Sequence, residues 1–442
     1  MPTVLEHPRP LERARRHLRA GRPEAALALL AQGRDDARRF DLMGQALEAL
    51  GRPEAALAAY RQGLACRQVP ASLHNNLGDL CRRLGRLEEA QRHLGEAVRA
   101  LPRPRVFSNY ALLQQALGRR DLARAYLTLA CQLAPGDARL RWNLALLQLA
   151  GGDLEHGWRG YEAGLACGLR RPTPHPAPRW DGEPVACLRV TAEQGLGDEI
   201  LFATCLADAR ARCDRLLWEA DPRLIPLLRR AHPGVDYLPR GAAGDDGAGA
   251  HCPQGRLPGL FRPRLDAFPR RPTLAADPRR TARWRQRLAA LGPGLKVGIS
   301  WLGGSGWERR RRSPPVDAWL GLLGLPNVVW VDVQYGEAPG RERFLAAGLH
   351  RFPDLDARDD LEELAALLCA LDLTVSVSNA TAHLGGALGA AVWTVLPVDH
   401  GWRWFGGEAS PWYPRMRLFR QSRPGAWSEP LATVRAALSA GS

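Results

Sequence analysis

Two hydrophobic patterns follow one another along the chain. Over roughly the first 165 residues, small and apolar side chains recur on short amphipathic segments, the mark of paired helices with one buried stripe each. After residue 184, short apolar runs alternate with helical stretches instead. The runs at 187–191, 216–219, 296–301, 328–333, 373–378 and 392–396 predict strands; 199–211, 221–230, 278–291, 361–370 and 381–388 predict helices. Strands separated by helices imply parallel sheets with helices on their faces. A Gly/Pro-rich part, about 239–278, divides this half into a small first sheet and a larger second one.

The first pattern repeats. "GRPEAALALL" at 21 returns as "GRPEAALAAY" at 51, "GRLEEAQRHL" at 85, "GRRDLARAYL" at 118 and "GGDLEHGWRGYE" at 151, with glycines 30, 34, 33 and 34 residues apart when Gly152 is taken last. That period, and Leu77, Gly78, Ala90, Leu94, Ala97 and Pro102 within one unit, resemble tetratricopeptide repeats. Stacked helix pairs leave a curved groove suited to an extended protein chain. Asn75, Asn76, Asn109 and Asn143 recur near corresponding positions and are candidates to hold a peptide backbone through their amides; the plainer reading is an array that shields its neighbour.

Pro172, Pro174, Pro176 and Pro178 exclude a regular helix and mark a linker. The expected organisation is a repeat array at 1–168, a linker at 169–183 and two Rossmann-like domains at 184–277 and 278–442.

The formal charge is +15, but Lys296 is the sole lysine, and an arginine skew follows from coding bias as readily as from a polyanionic partner. No aromatic-plus-basic reader motif accompanies the charge, so no nucleic-acid partner is expected. Nine cysteines stand singly, without zinc spacing, and read as thiols of a reducing compartment. The opening "MPTVLEHPRP" lacks an export-signal profile, and the longest apolar run, 384–398, is interrupted by glycines and a proline and too short to span a membrane. A cytoplasmic protein without a membrane span or bound metal is expected.

In parallel sheets, ligands sit at the carboxyl ends of strands. Two turns there carry chemistry. In "TAEQGLGDEILF", Gln194, Gly195 and Gly197 form a loop, but Asp198 and Glu199 follow, placing carboxylates where a bound anion would need bare N–H groups. In "TVSVSNATAHLGGALG", the helix start is free of acid: Ser378 or Asn379 caps it, Thr381 and His383 follow, and Gly385 and Gly386 permit close approach. One half would then hold an anionic donor and the other present a carboxylate to a hydroxyl, the arrangement for inverting glycosyl transfer; the alternative is that Asp198 only caps its helix.

The order of "WDGEP" at 180, "AEQGLGDEILF" at 192, "GRLPGLFR" at 255, "VGISWLGG" at 297, "VQYG" at 333, "LDLTVSVSNATAHLGGALG" at 371 and "WRWFGGEASPWYPRMRLFRQ" at 402 resembles bacterial tetratricopeptide-repeat glycosyltransferases. Their catalytic half is similar to the lipopolysaccharide heptosyltransferases, and the overall plan is similar to protein O-GlcNAc transferase. The resemblance implies an all-α tetratricopeptide solenoid followed by an α/β GT-B fold of two Rossmann-like domains, with no metal, no cofactor and a nucleotide-sugar as co-substrate. It assigns the base to Asp198 and the donor phosphates to Thr381 and His383, with Arg312 on the phosphate side unless the run 309–312 is a solvated loop. Gln334, after the strand 328–333, is placed to meet the nucleotide; the alternative is a strand-end amide satisfied by backbone. Trp402, Trp404, Trp412 and Tyr413 either frame the cleft or serve packing. The acceptor it implies is a protein brought in by the repeats, by analogy flagellin or another surface protein. A lipid-linked or polysaccharide acceptor, or a non-catalytic scaffold, is the alternative. Ser378-Asn379 replaces the family's usual Asp-Thr, and Leu302 its usual Arg, so the donor side carries less charge.

Overall fold

Gly21, Gly51, Gly85, Gly118 and Gly152 all adopt positive φ, at 66, 68, 78, 79 and 84°. Each turns the chain between the two helices of a pair, in a conformation that glycine enters without strain. The pairs are α1 (Pro10–Arg19) with α2 (Pro23–Leu30), α3 (Ala37–Ala49) with α4 (Pro53–Leu64), and α5 (Ala71–Arg83) with α6 (Leu87–Ala100). They continue with α7 (Pro104–Ala116) and α8 (Arg120–Leu133), then α9 (Ala138–Ala150) and α10 (Leu154–Tyr161). This is a computed structural model, and the residues described are 10–242, 244, 246–304 and 306–440. Most of the stretch read above for an export signal, residues 1–9, lies outside them.

The chain forms two compact units, one up to Gly136 and one from Asp137 onward. In the first, Tyr60, Leu73, Leu77, Leu80, Leu94 and Leu113 share a buried core. The second contains α9 and α10 together with all of the sheets. Trp142 on α9 and Trp158 and Tyr161 on α10 are buried in one core with Trp180, Ile200, Phe202, Trp402 and Trp412. The array read as a single domain ending at 168 therefore divides earlier, because the aromatic faces of its last helix pair are covered by the α/β half.

That half holds two all-parallel sheets. The first has the order β3-β2-β1-β4, built from β1 (Val185–Thr191), β2 (Cys213–Ala220), β3 (Asp236–Pro239) and β4 (Ala250–Pro253). The second has the order β6-β5-β7-β8-β9, built from β5 (Leu295–Ser300), β6 (Val328–Asp332), β7 (Leu373–Val377), β8 (Val392–Leu396) and β9 (Met416–Arg420). Its central strand β7 is buried throughout, as expected where helices cover both faces.

The six predicted strands are present; β3, β4 and β9 were not anticipated. All three are edge strands of four or five residues without a continuous apolar run, and β4 lies inside the Gly/Pro-rich part read as a divider. The helix predicted at 199–211 is broken into Leu196–Phe202, a 3₁₀ turn at Ala203–Cys205, and Leu206–Arg210. Thr204 Oγ1 donates to the Leu201 carbonyl at 2.6 Å, drawing that acceptor away from the regular helical ladder. Among the described residues, no helix is long and apolar enough to cross a membrane.

Close helix packing in the first unit rests on small residues. A Cβ at Gly78 would lie 2.6 Å from Leu94 Cγ and 3.0 Å from its backbone nitrogen. Gly78→Ala is therefore expected to lower the stability of the repeat unit by about 1–3 kcal/mol through overpacking, measured as an earlier first transition in thermal unfolding of the full chain.

Candidate functional site

The two adjacent carboxylates after Gly197 do different work. Glu199 is buried and turned into its own lobe: its Oε2 accepts from Asp221 N at 2.7 Å, and its Oε1 accepts from Arg240 Nε at 2.7 Å. Burial raises its carboxyl above the ordinary glutamate range, with the Asp221 amide and Arg240 pulling it back. Asp198 faces the other way. The N-cap of its helix is Gly195, with no side-chain capping bond, so the capping reading is not realised. Its Oδ1 accepts instead from Arg403 Nε at 2.6 Å. Arg403 belongs to the turn Trp402–Trp404, between β8 and β9 of the second sheet.

The helix Ala380–Ala387, which follows β7, stands opposite. Asn379 is its N-cap, and the amide is fully engaged: Oδ1 accepts from Ala382 N at 3.1 Å and Ser376 Oγ at 3.0 Å, while Nδ2 donates to Ser300 Oγ at 2.7 Å and the Leu302 carbonyl at 3.0 Å. Asparagine here caps the helix and pins the 300–302 turn without adding charge. Ser378 Oγ accepts from Trp404 Nε1 at 2.8 Å. Thr381 is buried, and among the described residues its hydroxyl has no hydrogen-bond partner. Burial and then the Arg403 charge push His383 down to about 3, so the imidazole is neutral at pH 7. Its Nδ1 lies 2.9 Å from Tyr413 Oη, and its ring stacks on Trp404 with centroids 4.7 Å apart. With the Tyr413 hydroxyl donating to Nδ1, the ring proton sits on Nε2, the edge nearer Gly197, where a Cβ would lie 3.1 Å from Cδ2.

Gly197 and Thr381 line one cavity of about 270 Å³, together with Ile200, Tyr335, Leu361 and Leu384. A second cavity, about 520 Å³ and more polar, is lined by Asp332, Gln334 and Arg341; Ala357 and Arg358 border both. Gln334 lines the larger cavity, but its amide is spent internally: Oε1 accepts from Ser300 Oγ at 3.1 Å and Leu302 N at 2.8 Å, and Nε2 donates to the Tyr335 carbonyl at 3.1 Å. Arg312, on the helix Gly306–Arg312, pairs with Glu308 at 2.8 Å. Among the described residues, no group of three or more His, Cys, Asp or Glu side chains is arranged to hold a metal ion.

Asp198, Thr381 and His383 are thus brought together, with Arg312 near enough to act electrostatically on His383. Ser378, Asn379 and Gln334 support the site through internal bonds rather than by offering free groups. Two expectations change. Gly385 and Gly386 admit protein, not ligand: a Cβ would lie 2.9 Å from Val392 Cγ2 at the first and 2.5 Å from the Tyr413 ring at the second. In the repeats, the asparagines bind each other. Asn109 Nδ2 donates to Asn75 Oδ1 at 3.0 Å, Asn75 Nδ2 to Asn76 Oδ1 at 3.2 Å, and Asn76 Nδ2 to Asp41 Oδ1 at 2.7 Å. Such a network fixes packing between helices. Asn143 lies on α9, in the second unit.

Sequence reasoning missed Arg403. It missed as well the residues that steady the loop of Gln194. That residue has φ 62° and donates from Nε2 to Tyr161 Oη at 2.6 Å. Beside it Glu193 is buried against Arg170, whose Nη2 donates to Oε1 at 3.0 Å and whose guanidinium lies 4.6 Å from the Tyr161 ring. Trp402, Trp404, Trp412 and Tyr413 are all buried, so they pack beneath the cleft rather than frame it.

The Arg170–Glu193 pair gives a direct test of this support. Burial raises the Glu193 carboxyl above its ordinary range, and Arg170 opposes that rise. Arg170→Met leaves the carboxylate buried without its charged partner, held only by the Gly255 amide, at an expected cost of about 3–5 kcal/mol at neutral pH. A carboxyl with a raised folded-state pKa holds its proton better folded than unfolded. The penalty should therefore vanish below the ordinary glutamate range and grow as pH rises through the raised value. Chemical denaturation of variant and wild type from pH 4 to pH 8 measures that gap.

A model of the tetratricopeptide repeat matches residues 71–102 and 104–137. The repeats are similar to solved structures of Pseudomonas aeruginosa pilF (21% identity, 36% of this chain and 74% of that one, TM-score 0.33) and of a thermophilic tetratricopeptide-repeat protein of Thermus thermophilus (25% identity, 36% and 89%, TM-score 0.32). Over nearly its whole length the chain is similar to Protein FlbA of Caulobacter vibrioides, at 31% identity across 457 aligned residues, 95% of this chain and 76% of the relative. The chain belongs to the family of Protein FlbA.

Proposed function

We propose that the α/β half is a GT-B-type glycosyltransferase using a nucleotide-sugar donor, and that the repeats recruit a protein whose hydroxyl is the acceptor. The observation that carries this reading is the orientation of Asp198: its carboxylate is bonded across the cleft to Arg403 rather than capping its own helix. Opposite it lies the start of the helix Ala380–Ala387, with the unpartnered Thr381 hydroxyl. A helix start with spare N–H groups and no carboxylate favours a diphosphate, and the adjoining cavity at the end of β6 offers room for the nucleoside.

The reaction follows from this division. The acceptor O–H gives its proton to Asp198 while its oxygen bonds to the anomeric carbon. On the opposite face the carbon–oxygen bond to the diphosphate breaks, and the electron pair leaves with the diphosphate, so the anomeric configuration inverts. Arg312 and the helix start oppose the negative charge that develops on the leaving group. Neutral His383 supplies shape and one N–H rather than a positive charge. The expected location is the cytoplasm, where nucleotide-sugars are made available to enzymes of this class.

Asp198→Asn is expected to reduce transfer by about 10²–10⁴-fold while thermal stabilisation by the cognate sugar nucleotide survives. A donor panel read by melting temperature identifies that nucleotide. Thr381→Val should weaken donor binding by about 3- to 30-fold, the loss of one hydrogen bond, with little change in melting temperature without ligand. No stabilisation by any sugar nucleotide, together with an Asp198→Asn strain that behaves as wild type, would leave the chain as a repeat scaffold.

A further inference from the structure

Arg403 is a charged group at the site that lies within the motif at 402 but to which the sequence assigned no role. Its Nε donates to Asp198 Oδ1 at 2.6 Å, and its guanidinium carbon lies 4.8 Å from the Trp402 ring centroid. Among the described residues, Nη1 and Nη2 make no hydrogen bond, although the side chain is only a quarter exposed. Burial works against its charge, and the Asp198 carboxylate more than offsets this, so the guanidinium stays ionised. The next residue, Trp404, stacks on His383 with centroids 4.7 Å apart and donates to Ser378, so the turn carrying Arg403 lies against the helix start of Ala380–Ala387.

The turn that carries Arg403 is rigidly supported. Trp402 meets Trp158 edge to face at 5.4 Å and Tyr161 at 5.5 Å, and Trp404 is bonded through Nε1 to Ser378. Phe405 holds φ 47°, one of three non-glycine residues at positive φ among those described; Gln194, four residues before Asp198, is another. Unfavourable backbone conformations persist where surrounding structure fixes them, and here two of them bracket the two partners of one ion pair.

We propose that Arg403 is a positioning residue shared between base and leaving group: its Nε edge holds Asp198, and its free Nη edge takes an oxygen of the donor diphosphate. A guanidinium presents separate donor edges in fixed geometry, which an ammonium does not. When the diphosphate arrives, part of the positive charge that neutralises Asp198 is drawn to the incoming anion. The carboxylate is thereby freed to accept the acceptor proton only when a donor is in place. This rests on the transferase reading, and it specifies how that site keeps the base silent in the empty cleft.

The test is a double-mutant cycle on the full chain, with inorganic pyrophosphate as the probe and calorimetry as the readout. Arg403→Gln is expected to weaken pyrophosphate binding about tenfold or more, the loss of a charge-assisted bond. Asp198→Asn should tighten it about tenfold, because Arg403 no longer divides its charge; in the Arg403→Gln background the gain should fall to about threefold or less. An equal gain in both backgrounds means simple repulsion by Asp198 and overturns the proposal, while leaving the transferase reading intact. Absence of pyrophosphate binding by both wild type and Asp198→Asn removes the anion site and this proposal with it. Should Arg403→Gln not fold, Arg403→Lys carries the test: one ammonium cannot serve both partners through separate edges, so wild-type affinity in that variant also overturns the proposal.

Discussion

The site depends on one ion pair between lobes, Asp198 to Arg403, held in place by the aromatic packing below it. An isolated ion pair at a surface contributes little to stability. This one is mostly shielded, and its partners come from turns that have almost no freedom to relax: Gln194 and Tyr161 steady one side, Trp402 and Trp404 the other. Further ties between the lobes run through Arg223 to the Arg358 carbonyl at 2.8 Å and through Arg230 to both oxygens of Glu362, at 3.2 and 2.8 Å. The cleft is closed around its charges.

Two neighbouring acids serve opposite purposes because the helix turns them in opposite directions. Glu199 locks the first lobe together, taking the Asp221 amide and Arg240; Asp198 is left as the carboxylate facing the cleft. Across from it, nearly every polar group around the helix start is consumed by Asn379, Ser378 and Gln334. That leaves the Thr381 hydroxyl, the terminal N–H groups and the Nη edge of Arg403 as the positions able to receive a new partner. A site built in this way gains selectivity from what is withheld: an anion finds few free donors, and they lie on the lobe opposite the acid.

How far the sequence reveals this varies with the range of the interactions involved. The repeat glycines are legible because each meets a local demand, a left-handed turn at a fixed interval, that no other residue meets so cheaply. Six strands are legible from their apolar runs, whereas β3, β4 and β9 are edge strands whose pairing, rather than composition, makes them strands. Asp198 and Thr381 stand out in their own turns. Arg403 does not, since its importance comes from a partner 205 positions away and from Trp158 and Tyr161 on the last repeat helix. The same limit explains Gly385 and Gly386, which look like a ligand loop in sequence but accommodate Val392 and Tyr413. It explains too the asparagines of the repeats, which satisfy one another.

The measurement that bears most directly on this account is a crystal structure of the chain soaked with a nucleoside diphosphate found to stabilise it. The account predicts the β-phosphate at the start of the helix Ala380–Ala387, within hydrogen-bond distance of the Thr381 hydroxyl, with the Asp198 carboxylate across the cleft and not in contact with it. A diphosphate bound elsewhere, or one contacting the loop of Gly195 and Gly197 with Asp198 displaced, would contradict it.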